Sequence, residues 1–270
     1  MTGAIFTEQL KQSWRNAIYW GFGLGLLVFY VTAAIEDPAT IDSYRGLLEA
    51  LPPAMLSAFG LSSAELLTSA EGFIAFAGFA YGSLALAVYG VLSGLNILSN
   101  DEDSGVMNSL LALPVARWQV IIERFLAYAV LLFGIVLMLF GGIVLGSTVF
   151  GVEVDMVTMF LGCINMMPAV LSIIAITALI SSVFSNKLIV TGISAGFVLV
   201  SYVFDVIADA VSANAFADVL GQISVFNYLD AESVIVSGSL QPINVTILLL
   251  IAGISIVIAV FAFERRDISG

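Results

Sequence analysis

The sequence predicts an all-α integral membrane protein with six transmembrane helices, an N-terminal interfacial amphipathic helix and a short cytoplasmic helix between spans two and three. Three observations carry that prediction. Of the 270 residues, 60% are hydrophobic and only 10% charged, with a mean hydropathy of +1.09; soluble domains carry about 25% charged residues. Apolar runs long enough to cross a bilayer recur from end to end. Basic residues gather in alternate connections, which fixes an orientation with both termini cytoplasmic.

The whole chain, 1–270, reads as one transmembrane domain, because little length remains for a separate soluble one. In residues 4–16, Phe6, Leu10 and Trp14 recur at i, i+4 and i+8, with Glu8, Lys11, Gln12 and Arg15 elsewhere on the helix. That pattern predicts an amphipathic helix lying in the interface against membrane lipid. The first span follows over about 17–35. It is longer than a signal-peptide core and starts later in the chain, so a cleaved signal is not expected.

A polar loop over 36–72 contains the Pro52-Pro53 pair. The second span covers about 72–98. After the acidic connection the third runs over about 121–145 and the fourth over about 156–183, the latter containing Pro168. The turn Phe184-Ser185-Asn186-Lys187 leads to a fifth span over about 188–207. Residues 208–242 form a second long loop with room for partly embedded helices, and the sixth span occupies about 243–263.

With this topology, Lys11, Arg15, Arg117, Arg124, Lys187, Arg265 and Arg266 fall on the side of the termini, and only Arg45 falls opposite. Seven acids offset the seven bases inside. The other thirteen lie outside, so the formal charge of −12 belongs to the outer face. Such a chain is expected in the plasma membrane, and it has no basic surface for a nucleic-acid partner.

Small residues at Gly78/Gly82, Gly90/Gly94, Gly142/Gly146 and Gly192/Gly196 have the spacing that lets helix backbones approach closely. There is no histidine, and Cys163 is the only cysteine, which excludes a disulfide within the chain and any His-dependent triad. No Gly-x-x-x-x-Gly-Lys-[Ser/Thr] phosphate loop occurs, so the sequence is not read as an ATPase or another enzyme.

The densest acidic cluster, Asp101-Glu102-Asp103, stands where the cytoplasmic leaflet is itself negative. A helix over 103–114 is expected to follow, with Val106, Leu110 and Leu113 on one arc, acids at its start and Pro114 at its end. Two readings fit. One is an ordinary amphipathic helix resting on lipid. The other is a docking helix whose acids meet basic residues of a soluble partner.

The same stretch resembles the cytoplasmic loop of ABC-type-2 permeases. Their usual form is Glu-Glu-x-x-Gly-Thr, Leu-Leu, then Pro-[Val/Ile]-Ser-Arg. The chain has Asp101-Glu102-Asp103-Ser104-Gly105-Val106, Leu110-Leu111 and Pro114-Val115-Ala116-Arg117. Val106 replaces the usual Thr and Ala116 the usual Ser, which removes two hydroxyls and leaves the frame. Leu51-Pro52, Ser69–Phe73, the terminal FERRDI and the outer segment Ser224–Gly238 are similar as well.

The resemblance implies the transmembrane subunit of an ABC exporter. A second permease copy would complete a path between spans two and five. Two copies of a separate ATPase subunit would bind ATP and magnesium, with no cofactor in this chain. Residues 103–114 would be the coupling helix. Asp101, Glu102 and Asp103 would meet the ATPase, Gly105, Val106, Leu110, Leu111 and Pro114 would shape the helix, and Arg117 would tie its end. A secondary transporter or channel is the alternative reading, with Asp205, towards the outer end of span five, as the nearest candidate for an intramembrane charge.

Overall fold

The structure is a computed structural model and describes residues 3–36, 39, 43, 46, 47, 50, 55, 69–105, 116–211 and 215–266. In chain order its main helices are α1 (Ala4–Ile35), α2 (Ala70–Leu95), α3 (Ser99–Asp103), α4 (Arg117–Phe150), α5 (Met156–Val183), α6 (Lys187–Ala210), α7 (Ala215–Ile223), α8 (Ala231–Ser237) and α9 (Pro242–Arg265). Among the described residues six helices, α1, α2, α4, α5, α6 and α9, are long and apolar enough to cross a membrane. Helices suit such sequences because each span satisfies its own backbone hydrogen bonds. Within α2, Ala75–Phe79 is a π-helical turn.

α5 is the central element and α6 the peripheral one. In α5 67% of the most apolar stretch is buried, against 17% in α6. α5 packs between α2 and α9, and α1 packs along α4. Glycines set these close approaches. A Cβ on Gly142 would lie 2.2 Å from the backbone oxygen of Gly25, and one on Gly146 would meet Thr32. Gly90 lies against Ile173 and Gly94 against Thr177. Among the described residues, nothing stands within 4 Å of a Cβ placed on Gly192 or Gly196 of α6.

One expectation is corrected. Residues 4–16 are not an interfacial helix separate from the first span; α1 is continuous from Ala4 to Ile35, about 48 Å long. Nothing at the junction, Arg15-Asn16-Ala17, breaks a helix. The face that α1 buries there is also not the Phe6–Leu10–Trp14 arc. Trp14 is exposed, Phe6 and Leu10 are half-buried, and Gln9 and Ser13 are buried. Their polar groups are spent on α4: Gln9 Nε2 donates to the Tyr128 hydroxyl at 2.8 Å and to Ser13 Oγ at 2.8 Å.

At the end of the bundle opposite the termini, hydroxyl, amide and carboxylate groups hold the connections. Ser224 Oγ donates to the backbone oxygen of Ser201 at 2.8 Å, and the Val225 N–H donates to Ser201 Oγ at 2.8 Å. Asn165 Nδ2 donates to the Leu229 carbonyl. Asp155 caps α5 through the N–H groups of Val157 and Thr158, and Glu71 accepts from the Asp155 N–H at 3.0 Å.

Candidate functional site

The charged groups of the terminal end converge on α3, one short helical turn. Its amides at Asp101 and Glu102 bond back to Leu98 O, and it closes at Gly105, whose φ of 74° is left-handed. Glycine adopts that conformation without a Cβ penalty. Asp103 is therefore the last residue of a short helix that starts at Ser99. Gly105 is the C-terminal stop of that helix. Val106, Leu110, Leu111 and Pro114 lie outside the described residues, as does the rest of the expected coupling helix.

Successive residues of a helix diverge by about 100°. The three consecutive carboxylates consequently reach three different elements. Asp101 pairs with Arg124 of α4 at 2.5 Å, Glu102 with Arg266, just beyond α9, at 2.8 Å, and Asp103 with Lys187 at the start of α6 at 3.7 Å. The first two pairs are largely buried; the third is open to solvent.

Bases of α4, of α6 and of the segment after α9 thus meet all three acids within the chain. The signal was present in the sequence as Arg124, Lys187 and Arg266, but separations of up to 164 positions between partners hide the pairing.

The guanidinium groups do a second job. Arg124 Nη1 donates to Asn96 O and Ile97 O, at the C-terminal end of α2. Arg266 Nη1 donates to Ser181 O and Ser182 O, at the end of α5, while Nη2 also reaches Ser185 Oγ. Arg117 Nη1 donates to Phe263 O at 3.1 Å and Arg266 O at 2.8 Å, at the end of α9, and its guanidinium lies 5.8 Å from the Phe263 ring centroid. The last carbonyls of a helix lack intrahelical donors and carry the negative end of its dipole, so cations suit them. Arg117 thus ties the end of α9.

A fourth tie runs the other way. Glu123 of α4, buried, accepts from the N–H groups of Gly3 at 2.9 Å and of Ile5 and Phe6 at 3.1 Å. It caps the N-terminus of α1 from a neighbouring helix, where a carboxylate is favoured. Sequence reasoning missed this role, since nothing local relates position 123 to position 3.

Burial raises the carboxyl pKa of Glu102 above its ordinary value, against the opposing pull of Arg266. Its second oxygen, Oε1, is buried without a hydrogen-bond partner among the described residues. As pH falls, Glu102 takes up a proton before an ordinary glutamate does.

A family model for the ABC-2 family transporter protein matches residues 4–268. The chain belongs to that family. It is therefore a multi-pass membrane protein and a non-catalytic transmembrane permease subunit, of a class that generally pairs with ABC ATPase subunits. No curated protein matches the chain.

Proposed function

We propose that this chain is the membrane half of an ABC exporter, working as a pair of copies driven by two separate ATPase subunits. Both termini and α3 face the cytoplasm, and the cargo is hydrophobic or amphipathic: a drug, a lipid or a peptide. The orientation rests on the basic residues, which concentrate at the terminal end in the sequence.

One observation carries the coupling role. The acids immediately before 106–115 are held by α4, by the start of α6 and by the segment after α9. A force applied to 106–115 by a closing ATPase reaches all three elements through α3. Leu110 and Leu111 seat the segment in the partner, and Asp101, Glu102 and Asp103 transmit its movement inwards. This divides the motif into a part that touches the ATPase and a part that touches the spans. A second copy covers α6, the span with the open glycines.

The test uses the co-purified complex of the full chain with its ATPase subunit in nanodiscs. Leu110→Asp with Leu111→Asp is expected to release the ATPase. Glu102→Gln is expected to retain it while lowering the coupling of ATP hydrolysis to transport severalfold. Full coupling in Glu102→Gln, or loss of the ATPase from it, would overturn the division of roles.

A further inference from the structure

Beside α3 lies a pocket of about 230 Å³ lined by no charged side chain. Ser13 and Asn16 of α1 line one side. Tyr89, Ser93, Asn96 and Asn100 line the other, along α2 and into α3. Every polar group lining it is uncharged; the nearest ions, Asp101 and Arg124, are paired with each other. Tyr89 is 4% exposed, and its hydroxyl has no hydrogen-bond partner among the described residues; Asn100 Oδ1 is likewise unpartnered. Buried polar atoms in native structures are normally bonded, so these two point to a missing partner.

A second cavity, of about 350 Å³, continues from the first. Trp20 lines both. The second is built on α1 alone, from Tyr19, Trp20, Gly23, Leu24 and Leu27, and is almost wholly apolar. Gly23 leaves the floor of this groove open, with no atom of the described residues within 4 Å of a Cβ placed there. From Ser13 to Leu27 the helix advances about 21 Å. Polarity thus falls from the terminal end of the bundle towards the middle of the span, in the order in which a lipid places its head and its chain.

We propose that this composite site binds a membrane amphiphile with an uncharged head rich in hydroxyl or amide groups. The head satisfies the Tyr89 hydroxyl and Asn100 Oδ1, and the acyl chain lies along Trp20, Gly23 and Leu27. A charged head is disfavoured because no unpaired ion lines the pocket, and removing a charge from water without a counter-ion is costly. The site requires only that α1 span the bilayer. Its assignment to the cytoplasmic leaflet rests on the orientation argued above, and its occupancy does not depend on coupling.

The test uses the full chain in phosphatidylcholine nanodiscs and a monoacylglycerol with a photoactivatable diazirine in its acyl chain. Labelling is expected to fall on peptides covering residues 19–27 and to be competed by monoolein but not by phosphatidylglycerol. Tyr89→Phe, which removes one hydroxyl and little volume, is expected to weaken labelling about fivefold to tenfold. Gly23→Leu, which fills the groove, is expected to abolish it, with thermal melting unchanged in both variants.

Labelling spread evenly over all spans, or unaltered by either substitution, would overturn the proposal. So would equal competition by phosphatidylglycerol. Absence of labelling with wild-type melting in Tyr89→Phe would mean a pocket filled by water. Efficient cross-linking between copies at Gly23→Cys, against a background of the single buried Cys163, would mean that a second copy covers the groove. Either result would also overturn it.

Discussion

α4 and α6 each carry glycines four apart, and each presents a base to an acid of α3. In α4 both features are closed. Gly142 and Gly146 sit against the backbone of Gly25 and the side chain of Thr32. Arg124 is 7% exposed and bonds Asp101 and two carbonyls of α2. In α6 both are open. Gly192 and Gly196 meet nothing among the described residues, and Lys187 reaches Asp103 at 3.7 Å with both side chains in solvent. The same residue types therefore do different work. Glycine spacing reports a close approach only where a second helix is supplied, and an ion pair holds helices together only where water is excluded.

The largest loss is expected from Arg124→Ala. It removes the partner of Asp101 and the donors to Asn96 O and Ile97 O at once, in a site where neither charge nor carbonyl is freely hydrated. Breaking a buried pair of this kind costs about 3 kcal/mol. Thermal unfolding in detergent should show it, and adding Asp101→Asn should restore part of the loss, since the unpaired carboxylate is then gone. Unchanged melting would make the closed end no stronger than the open one.

Gly142→Ala comes next. The new methyl would meet a backbone oxygen, which cannot rotate away, so α1 must move off α4. Overpacking of this kind costs about 2 kcal/mol, read from the same melting curves.

The contrast between the two helices also marks how far the sequence could be read. Span number and the family motif were legible because hydropathy and local spacing are properties of neighbouring residues. The glycine pairs were legible as candidates, yet nothing at 142 or 192 says which of them meets a second helix. The pairing of Asp101 with Arg124, of Glu102 with Arg266 and of Glu123 with the first turn of α1 depends on chain crossings that no local pattern encodes. The burial of Gln9 and Ser13 was hidden for a further reason. An apolar arc names the buried face when the other side is water. It does not when lipid covers one side and a polar cluster around Tyr128 fills the other.

A smaller effect, about 0.5 kcal/mol, is expected from Lys187→Ala, as for other solvent-screened ion pairs. Raising the salt concentration should erase even that difference, while leaving the loss in Arg124→Ala nearly intact. A large, salt-resistant loss at Lys187 would mean that the start of α6 is covered by another surface in the membrane.

The least effect on the folded chain is expected from Gly196→Leu. No atom of the described residues stands within 4 Å of the added Cβ, and leucine is a better helix former than glycine, so melting of the single chain should hold or rise slightly. Its consequence should appear between copies. If α6 is the face that a second permease covers, a bulky side chain there separates two backbones that glycine allowed to touch. Cross-linking between copies in nanodiscs should then fall while the fold survives. Loss of the fold with copy number unchanged would place the open glycines against an element of the same chain and make α6 a second version of α4.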